Sequence, residues 1–339
     1  MIKVGVAGLV MGNSHLEGYA KIPDVEITAV CDLNETLLKE KSEEFSVPHT
    51  FSDYRKMLEM EELDAVSIAL PNCLHCPATI DALEAGKHVL VEKPMAMDAS
   101  EAEKMVGKAR EKNKTLAVAM NYRFVPERAF LKGVLNRGEL GEIYYVRAVS
   151  IRRRTFSREF CRSDDPKTWF VTKKRAGGGA LIDMGPHILD LAMWYCDDFK
   201  PVSAYGVTSD KMENGDIDDL SAGLVKLSSG VTIDLISTWE TFAKSSFFIS
   251  LFGTKGGAET DSLKIYKEMD NVDVEIKPGK IEDSFAAGTG GLMSHFADCV
   301  REGKVPEVSG DRGLAVMKII DAIYESAKTG KAVDISKEV

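Results

Sequence analysis

Cysteine is scarce: six in 339 residues. They are scattered, at Cys31, Cys73, Cys76, Cys161, Cys196 and Cys299. That excludes a disulfide-built scaffold and fits a reducing, cytoplasmic setting. Long apolar runs are also lacking, and none reaches the ~20 residues of a membrane helix. Surplus positive charge is missing, with 43 Lys and Arg against 53 Asp and Glu, a net of −10. Nucleic acids and anionic membranes are poor partners for such a chain, because neutralising phosphate takes an excess of cations. No repeat or low-complexity tract is present. What is there is ordinary for a globular protein, 44% hydrophobic and 28% charged residues, which excludes collagen and overall disorder. Length alone suggests about two domains. The first fifteen residues faintly resemble a signal peptide, with one Lys and a short apolar run. Their glycine spacing, without a cleavage-type segment, argues instead for a buried first strand.

Residues 1–122 alternate apolar runs with amphipathic segments. The runs Ile2–Ala7, Val25–Cys31, Ala65–Leu70, His88–Glu92 and Leu116–Met120 lack strict alternation, as in strands covered on both faces. Helices are predicted between them at Asn34–Phe45, Pro77–Ala85 and Ser100–Lys112, the last with Ser100 as N-cap and Glu103 completing a capping box. This order predicts an α/β domain with a parallel, doubly wound sheet. From 123 to 339 the pattern changes. Ile143–Ile151, Val202–Thr208, Ser221–Leu227, Val231–Thr238, Phe247–Phe252, Gly257–Thr260 and Leu263–Tyr266 mostly alternate and are joined by short turns. They predict a large, mainly antiparallel sheet with one open face, in an α+β domain. Helices are expected at Pro126–Asn136, Pro186–Tyr195, Leu292–Glu302 and Gly313–Lys328. The two domains are expected to meet in a cleft.

The first strand runs into Gly8-Leu9-Val10-Met11-Gly12. A dinucleotide site needs a tight turn there, so that backbone N–H groups and a helix N-terminus face a pyrophosphate. Gly8 and Gly12 meet that need, whereas Val10 stands where G-x-G-x-x-G has its middle glycine. Asp32 ends the second strand, 24 residues after Gly8. A carboxylate there accepts hydrogen bonds from the adenosine ribose and repels a 2′-phosphate. Leu33 and Asn34 supply no cation for such a phosphate, so NAD is favoured over NADP. The plain alternative is a simple strand–helix turn, with Asp32 starting the next one.

Glu92-Lys93-Pro94 sets two charges at the carboxyl end of a strand, where open α/β sheets bind ligands. With Pro71-Asn72, His75 and the stretch from Ala82 to Val89, this segment resembles the Gfo/Idh/MocA oxidoreductases (glucose–fructose oxidoreductase, inositol dehydrogenase and their relatives). The second half agrees. Asn121-Tyr122-Arg123 follows the last strand of the first domain, Gly138-Glu139-Leu140-Gly141 resembles the family's helix-to-strand turn, and the stretch from Gly177 to Asp190 resembles its G-G-G-x-x-x-D-x-G-x-H-x-x-D motif. The resemblance covers most of the chain. It implies a Rossmann domain, a nicotinamide cofactor, and hydride transfer at a hydroxyl or carbonyl carbon of a sugar, polyol or sugar-acid derivative. It implies that Lys93 is the active-site lysine, with Asp183 and His187 as its partners. At the cofactor it and the glycine turn together place Gly8, Val10, Met11, Gly12 and Asp32. Leu70, Pro71, Asn72, His75, Glu92, Lys93 and Asn121 join them.

Oxidising a secondary alcohol releases a proton, and an imidazole with an ordinary pKa of ~6.5 suits as its acceptor. If Pro186 opens a helix, Asp183 lies just ahead of it and His187 in its first turn. Asp183 then orients the imidazole or binds a substrate hydroxyl. The bland alternative is a helix cap and a packed histidine. Lys93 as an ammonium stabilises the developing alkoxide, and the roles of Lys93 and His187 are exchangeable on this reasoning. Cys73 and Cys76 have C-x-x-C spacing but no second pair, so no metal is expected. Arg152, Arg153, Arg154, Arg158 and Arg162 read by default as a solvated or subunit-facing surface; the sharper reading is that one of them selects an anionic substrate. Trp169 either packs in the core or stacks on a sugar. The open sheet face predicts a homodimer or homotetramer. Two rival functions stand beside the dehydrogenase: glycoside cleavage through transient redox, and non-catalytic NAD sensing.

Overall fold

The computed structural model describes residues 1–153, 166–211, 216–281 and 288–336. It falls into two compact units, Met1–Phe124 with Asp283–Leu314, and Val125–Glu282 with Ala315–Val339.

In the first unit, β1 (Ile2–Ala7), β2 (Val25–Cys31), β3 (His49–Phe51), β4 (Ala65–Ile68), β5 (His88–Val91) and β6 (Leu116–Val118) form a sheet in the order β3-β2-β1-β4-β5-β6. Every pair is parallel. Two inward-winding halves diverge from β1 and β4, which places a ligand crevice at their carboxyl ends. The helices are α1 (Leu9–Tyr19), α2 (Glu35–Glu44), α3 (Tyr54–Leu58), α4 (His75–Glu84) and α5 (Ala99–Lys112). Val4, Val6, Val66, Ile68, Val89 and Leu90 are buried, as two-sided cover requires. Asn34 caps α2, accepting from the Thr36 and Leu37 N–H groups. The cap of α5 is Asp98 rather than Ser100: its carboxylate accepts from Glu101 N–H at 2.8 Å, and Glu101 returns a bond from Met97 N–H. The capping box lies two residues earlier than the Ser100–Glu103 pair, since the helix begins at Ala99 and its extended N-cap is Asp98.

The second unit holds α6 (Pro126–Asn136), β7 (Ile143–Ile151), α7 (Lys173–Ala176), α8 (Ala180–Cys196), β8 (Pro201–Ser209), β9 (Leu220–Leu227), β10 (Thr232–Thr238), β11 (Ser246–Gly253), β12 (Gly256–Glu259), β13 (Lys264–Met269) and β14 (Val272–Ile276). Then follow α9 (Gly288–Glu302), which belongs to the first unit, α10 (Gly310–Thr329) and β15 (Val333–Asp334). The sheet order is β14-β13-β12-β11-β7-β10-β9-β8-β15. All its pairs are antiparallel except β7 with β10. Helix α8 packs on β7, β9, β10 and β11. On alternate positions the register aligns Ser250, Arg147, Asp234, Leu224 and Tyr205 in one row. Leu224, Tyr205 and Arg147 are exposed, and Arg147 pairs with Asp234 at 3.5 Å. The sheet therefore has the open face its alternation predicts.

A cut at 122/123 does not match these units. Residues 288–314 pack with the first one: Val118 N–H donates to Val308 O at 2.8 Å and Ala117 bridges Ser309, which covers the free edge of β6. Gly18 of α1 lies against Met293 of α9, too close for a Cβ. Strand β14 went unread in the sequence because its side chains are nearly all exposed and carry no apolar alternation.

Candidate functional site

The carboxyl ends of β1, β2, β4 and β5 gather most of the expected cofactor residues. Gly8 turns the chain from β1 into α1 at φ +88°, and its N–H donates to Cys31 O at 2.8 Å. A Cβ on Gly8 would sit 2.3 Å from the Ala69 carbonyl oxygen. The turn can be this tight only without a side chain. The N-cap of α1 is Gly8, which has no side chain to cap the helix. Apart from Leu9 N–H, which Asp32 takes up, the N–H groups of the first turn and the helix dipole favour an anion. Gly12 is buried in the first turn. Val10, in the place of the absent middle glycine, is 61% exposed, and Met11 is exposed beside it. The departure from the usual spacing therefore meets no neighbour.

Asp32 follows β2 and is half-buried. Its carboxylate accepts from Leu9 N–H at 2.7 Å and from Asn34 N–H at 2.8 Å. Those bonds fix it beside the start of α1 and leave further lone pairs for ribose hydroxyls. Leu70 and Pro71 are half-buried after β4, and Asn72 is buried at the head of a short 3-10 turn, Asn72–Leu74. Asn121 lies after β6; it donates to Thr289 Oγ1 at 3.2 Å, while its buried Oδ1 has no protein partner. A helix start capped by no side chain of its own, a fixed carboxylate and an orphaned amide oxygen, all following strand carboxyl ends, fit a dinucleotide.

Glu92 and Lys93 follow β5, both half-buried. Glu92 Oε1 lies 2.9 Å from His15 Nε2, and Oε2 accepts from Lys93 N–H at 3.0 Å. Burial pushes the Glu92 pKa up, but His15, Lys93 and these bonds more than offset it, so the group stays below the usual carboxylate range. His75, expected among the cofactor residues, instead faces protein groups. It is buried in the first turn of α4, with Nδ1 2.7 Å from Pro94 O and Nε2 2.6 Å from Leu70 O. Both ring nitrogens face backbone carbonyls, so the ring ties two loops together and turns no nitrogen toward a ligand.

In the second unit Pro186 does not open its helix. Helix α8 starts at Ala180, so Asp183 lies in its first turn and Pro186 in its interior. The early start has a cause outside the motif. The Asp218 carboxylate accepts from Gly179 N–H at 2.7 Å, Leu181 N–H at 2.9 Å, Ser221 Oγ at 2.9 Å and Tyr324 Oη at 2.7 Å. It supplies the anion that the first turn needs. Burial and the Asp218 charge hold the Tyr324 phenol well above its ordinary pKa, so it donates. The glycines make room: a Cβ on Gly178 would meet Tyr324 Oη at 2.1 Å, and one on Gly179 would meet Asp218 O at 2.0 Å. Asp183 and His187 stand four residues apart on this helix and hence on one face, both buried. Asp183 Oδ2 accepts from Trp239 Nε1 at 3.0 Å, and the Arg152 guanidinium lies 3.7 Å away. Asp218, Tyr324, Trp239 and His15 are unread in the sequence, since single distant residues form no local pattern.

Arg152 lies beside Asp183, while Arg154, Arg158 and Arg162 fall outside the described residues. Trp169 meets Phe170 edge-on, and Phe170 stacks on Trp239 in a core with Ala180, Met184 and Ile217. That favours the packing reading of Trp169. Cys73 and Cys76 are free thiols, and no metal-holding cluster occurs among the described residues.

Residues 2–120 match the family described as "Oxidoreductase family, NAD-binding Rossmann fold", and residues 129–259 match the GFO/IDH/MocA C-terminal domain. This chain belongs to the Gfo/Idh/MocA oxidoreductase family. It is 29% identical to D-glucoside 3-dehydrogenase of Escherichia coli (strain K12), over 97% of this chain and 95% of that one. A structure of levoglucosan dehydrogenase with NADH and levoglucosan aligns with TM-score 0.88 at 25% identity, covering 99% of this chain and all of that one (100%). The myo-inositol 2-dehydrogenase of Lactobacillus plantarum aligns with TM-score 0.82 at 27% identity, covering 98% and 99%. Family membership makes the chain an oxidoreductase with an NAD-binding Rossmann domain. The fold and the nicotinamide-dinucleotide domain thus stand as the sequence predicts.

Proposed function

We propose that the protein is an NAD-dependent dehydrogenase of a sugar, polyol or sugar-acid derivative. The observation that carries this is the bonding around α1 in the first unit: Asp32 at its first N–H, and His15 through Glu92 to the backbone of Lys93. It sets a dinucleotide crevice beside a lysine. The three relatives are named for a glucoside, levoglucosan and myo-inositol, which supports the substrate class.

When bound, the nicotinamide cofactor takes up or returns the two electrons of the alcohol–carbonyl interconversion. The N–H groups of the α1 start hold the pyrophosphate, and Asp32 accepts from the adenosine ribose hydroxyls. The same carboxylate repels a 2′-phosphate, which favours NAD. Asn72 and Asn121 offer amide groups to the rest of the cofactor. Lys93 donates to the reacting oxygen and stabilises its negative charge, His187 takes the proton, and Asp183 binds a substrate hydroxyl. Trp239 and Arg152 hold that carboxylate in place.

The open sheet face, with Tyr205, Leu224 and Phe252 exposed, takes a second copy of the chain in the same proposal. Light scattering that shows a stable monomer at micromolar concentration rejects it. The free thiols support a reducing, cytoplasmic setting, and no helix among the described residues is long and apolar enough to cross a membrane. The activity is tested by incubating the protein with D-glucose, D-xylose, myo-inositol and levoglucosan, each with NAD and with NADP. NADH formation with at least one of them, faster than NADPH formation, is expected. Reduction of neither cofactor by any of a broad carbohydrate panel overturns the reading.

A further inference from the structure

The three-residue turn that carries Lys93 is gripped from two sides by buried histidines on different helices. From α1, His15 is fully buried, and its Nε2 lies 2.9 Å from Glu92 Oε1. The other Glu92 oxygen accepts from the Lys93 N–H itself, so one carboxylate joins His15 to the backbone of the lysine. From α4, His75 lies 2.7 Å from the Pro94 carbonyl and 2.6 Å from the Leu70 carbonyl. Residues 92 and 93 are therefore anchored through the Glu92 carboxylate, and residue 94 through His75 in the tautomer whose single N–H is on Nδ1. His15 sits two turns into α1, whose N-terminus is proposed above to hold the pyrophosphate. Leu70, on the far side of His75, belongs to the loop after β4 that borders the same crevice. The charged and titratable groups around Glu92 are His15, Lys93 and His75.

We propose that His15 and His75 are positioning residues that hold Lys93 in register with the bound dinucleotide, His15 acting through Glu92 and His75 through the Pro94 carbonyl. The inference rests on the reading of Lys93 as the group that meets the reacting oxygen. A displacement of ~1 Å at a reacting group costs about 10²-fold in rate, and a loosened turn permits such a displacement. On this reading both histidines act through Glu92 and the Pro94 carbonyl, not on substrate or cofactor.

The test uses the full-length protein with NADH as the probe. Binding is followed by fluorescence, and the Lys93 amine by reductive methylation and mass spectrometry. In the wild type, saturating NADH is expected to shield Lys93. No shielding there overturns the underlying reading of Lys93. Given shielding, His15→Leu is expected to bind NADH within about threefold of wild type, yet to lose most of the protection of Lys93. With the best substrate of the panel its kcat falls about 10²-fold while KM changes little. His15→Gln, whose terminal amide replaces Nε2, restores both. At position 75 the geometry makes a sharper demand. Asn replaces Nδ1 and Gln replaces Nε2, so His75→Asn keeps the Pro94 contact and is expected to retain more protection and more turnover than His75→Gln. Wild-type protection and kcat in His15→Leu overturn the inference, as does equal loss in the Leu and Gln variants at 15, which marks a packing role. If His15→Leu does not fold, the near-isosteric Glu92→Gln decides: loss of Lys93 protection supports the link, and full protection refutes it.

Discussion

Gly8→Ala is the most direct probe of the nucleotide turn. The residue has φ +88°, and the added methyl would lie 2.3 Å from Ala69 O and 2.6 Å from Ala69 C. Neither atom belongs to a flexible side chain. To reach even 3.0 Å the loops after β1 and β4 must separate by the remaining 0.7 Å. Holding a non-glycine residue in such a backbone conformation costs about 1–3 kcal/mol. Overpacking against a rigid backbone costs about 1–3 kcal/mol more. Against a domain stability of about 5–15 kcal/mol, the variant should still fold but with a clearly lower urea midpoint. The same movement pulls the α1 N-terminus away from its anion, so NADH affinity should fall with stability. Urea unfolding and NADH titration on one preparation check both. A loss below about 0.5 kcal/mol, the scale of a neutral surface change, with unchanged NADH affinity would refute the reasoning.

Asp218→Ala removes the acceptor of four hydrogen bonds at the start of α8 and strands buried donors. A loss of about 3 kcal/mol or more in urea unfolding is expected, with NADH binding to the other unit retained; a loss under about 1 kcal/mol contradicts the cap. Asp32→Ser removes the charge that repels a 2′-phosphate, so the NAD over NADP preference in kcat/KM should drop about tenfold, or about 1.4 kcal/mol. An unchanged ratio places selectivity elsewhere. Acid should destabilise the protein in stages. Burial holds His75, His88 and His295 below the ordinary value of 6.5, so the unfolded chain takes up protons first. Stability is full above 6.5 and declines as pH falls through it toward the folded values. Glu92, held below 4.5, adds a later loss as pH falls through its own folded value. A urea midpoint that rises between about pH 7 and about pH 5.5 would reverse the sign.

Five strands of the parallel sheet were legible because they are covered on both faces and spell continuous apolar runs; β3, three residues long and mostly exposed, was not. The open-faced sheet was legible from alternation, except at β14, where both faces are wet, and at the two-residue β15. The site divides along the same physical line. Gly8, Asp32, Lys93, Asp183 and His187 stand in short local motifs, so the chain order displays them. The groups that support them do not. Asp218 reaches α8 from 39 positions away, His15 reaches Glu92 across 77, and Trp239 reaches Asp183 across 56. Only folding makes these pairs. Pro186 misled for the same reason: proline favours a helix start, but a distant carboxylate had already nucleated the helix two turns earlier. The domain boundary failed likewise, because the partner of the β6 edge lies almost two hundred residues later in the chain.

The central claim is that the Lys93 amine stabilises charge on the reacting oxygen while other groups bind the dinucleotide. Lys93→Ala tested in single-turnover reduction of NAD by the best substrate of the panel, with NADH affinity measured alongside, addresses it most directly. The account predicts a rate lower by about 10² to 10³-fold, the scale of a lost charge-stabilising donor, with NADH bound about as tightly as before. Wild-type turnover without the amine would contradict it.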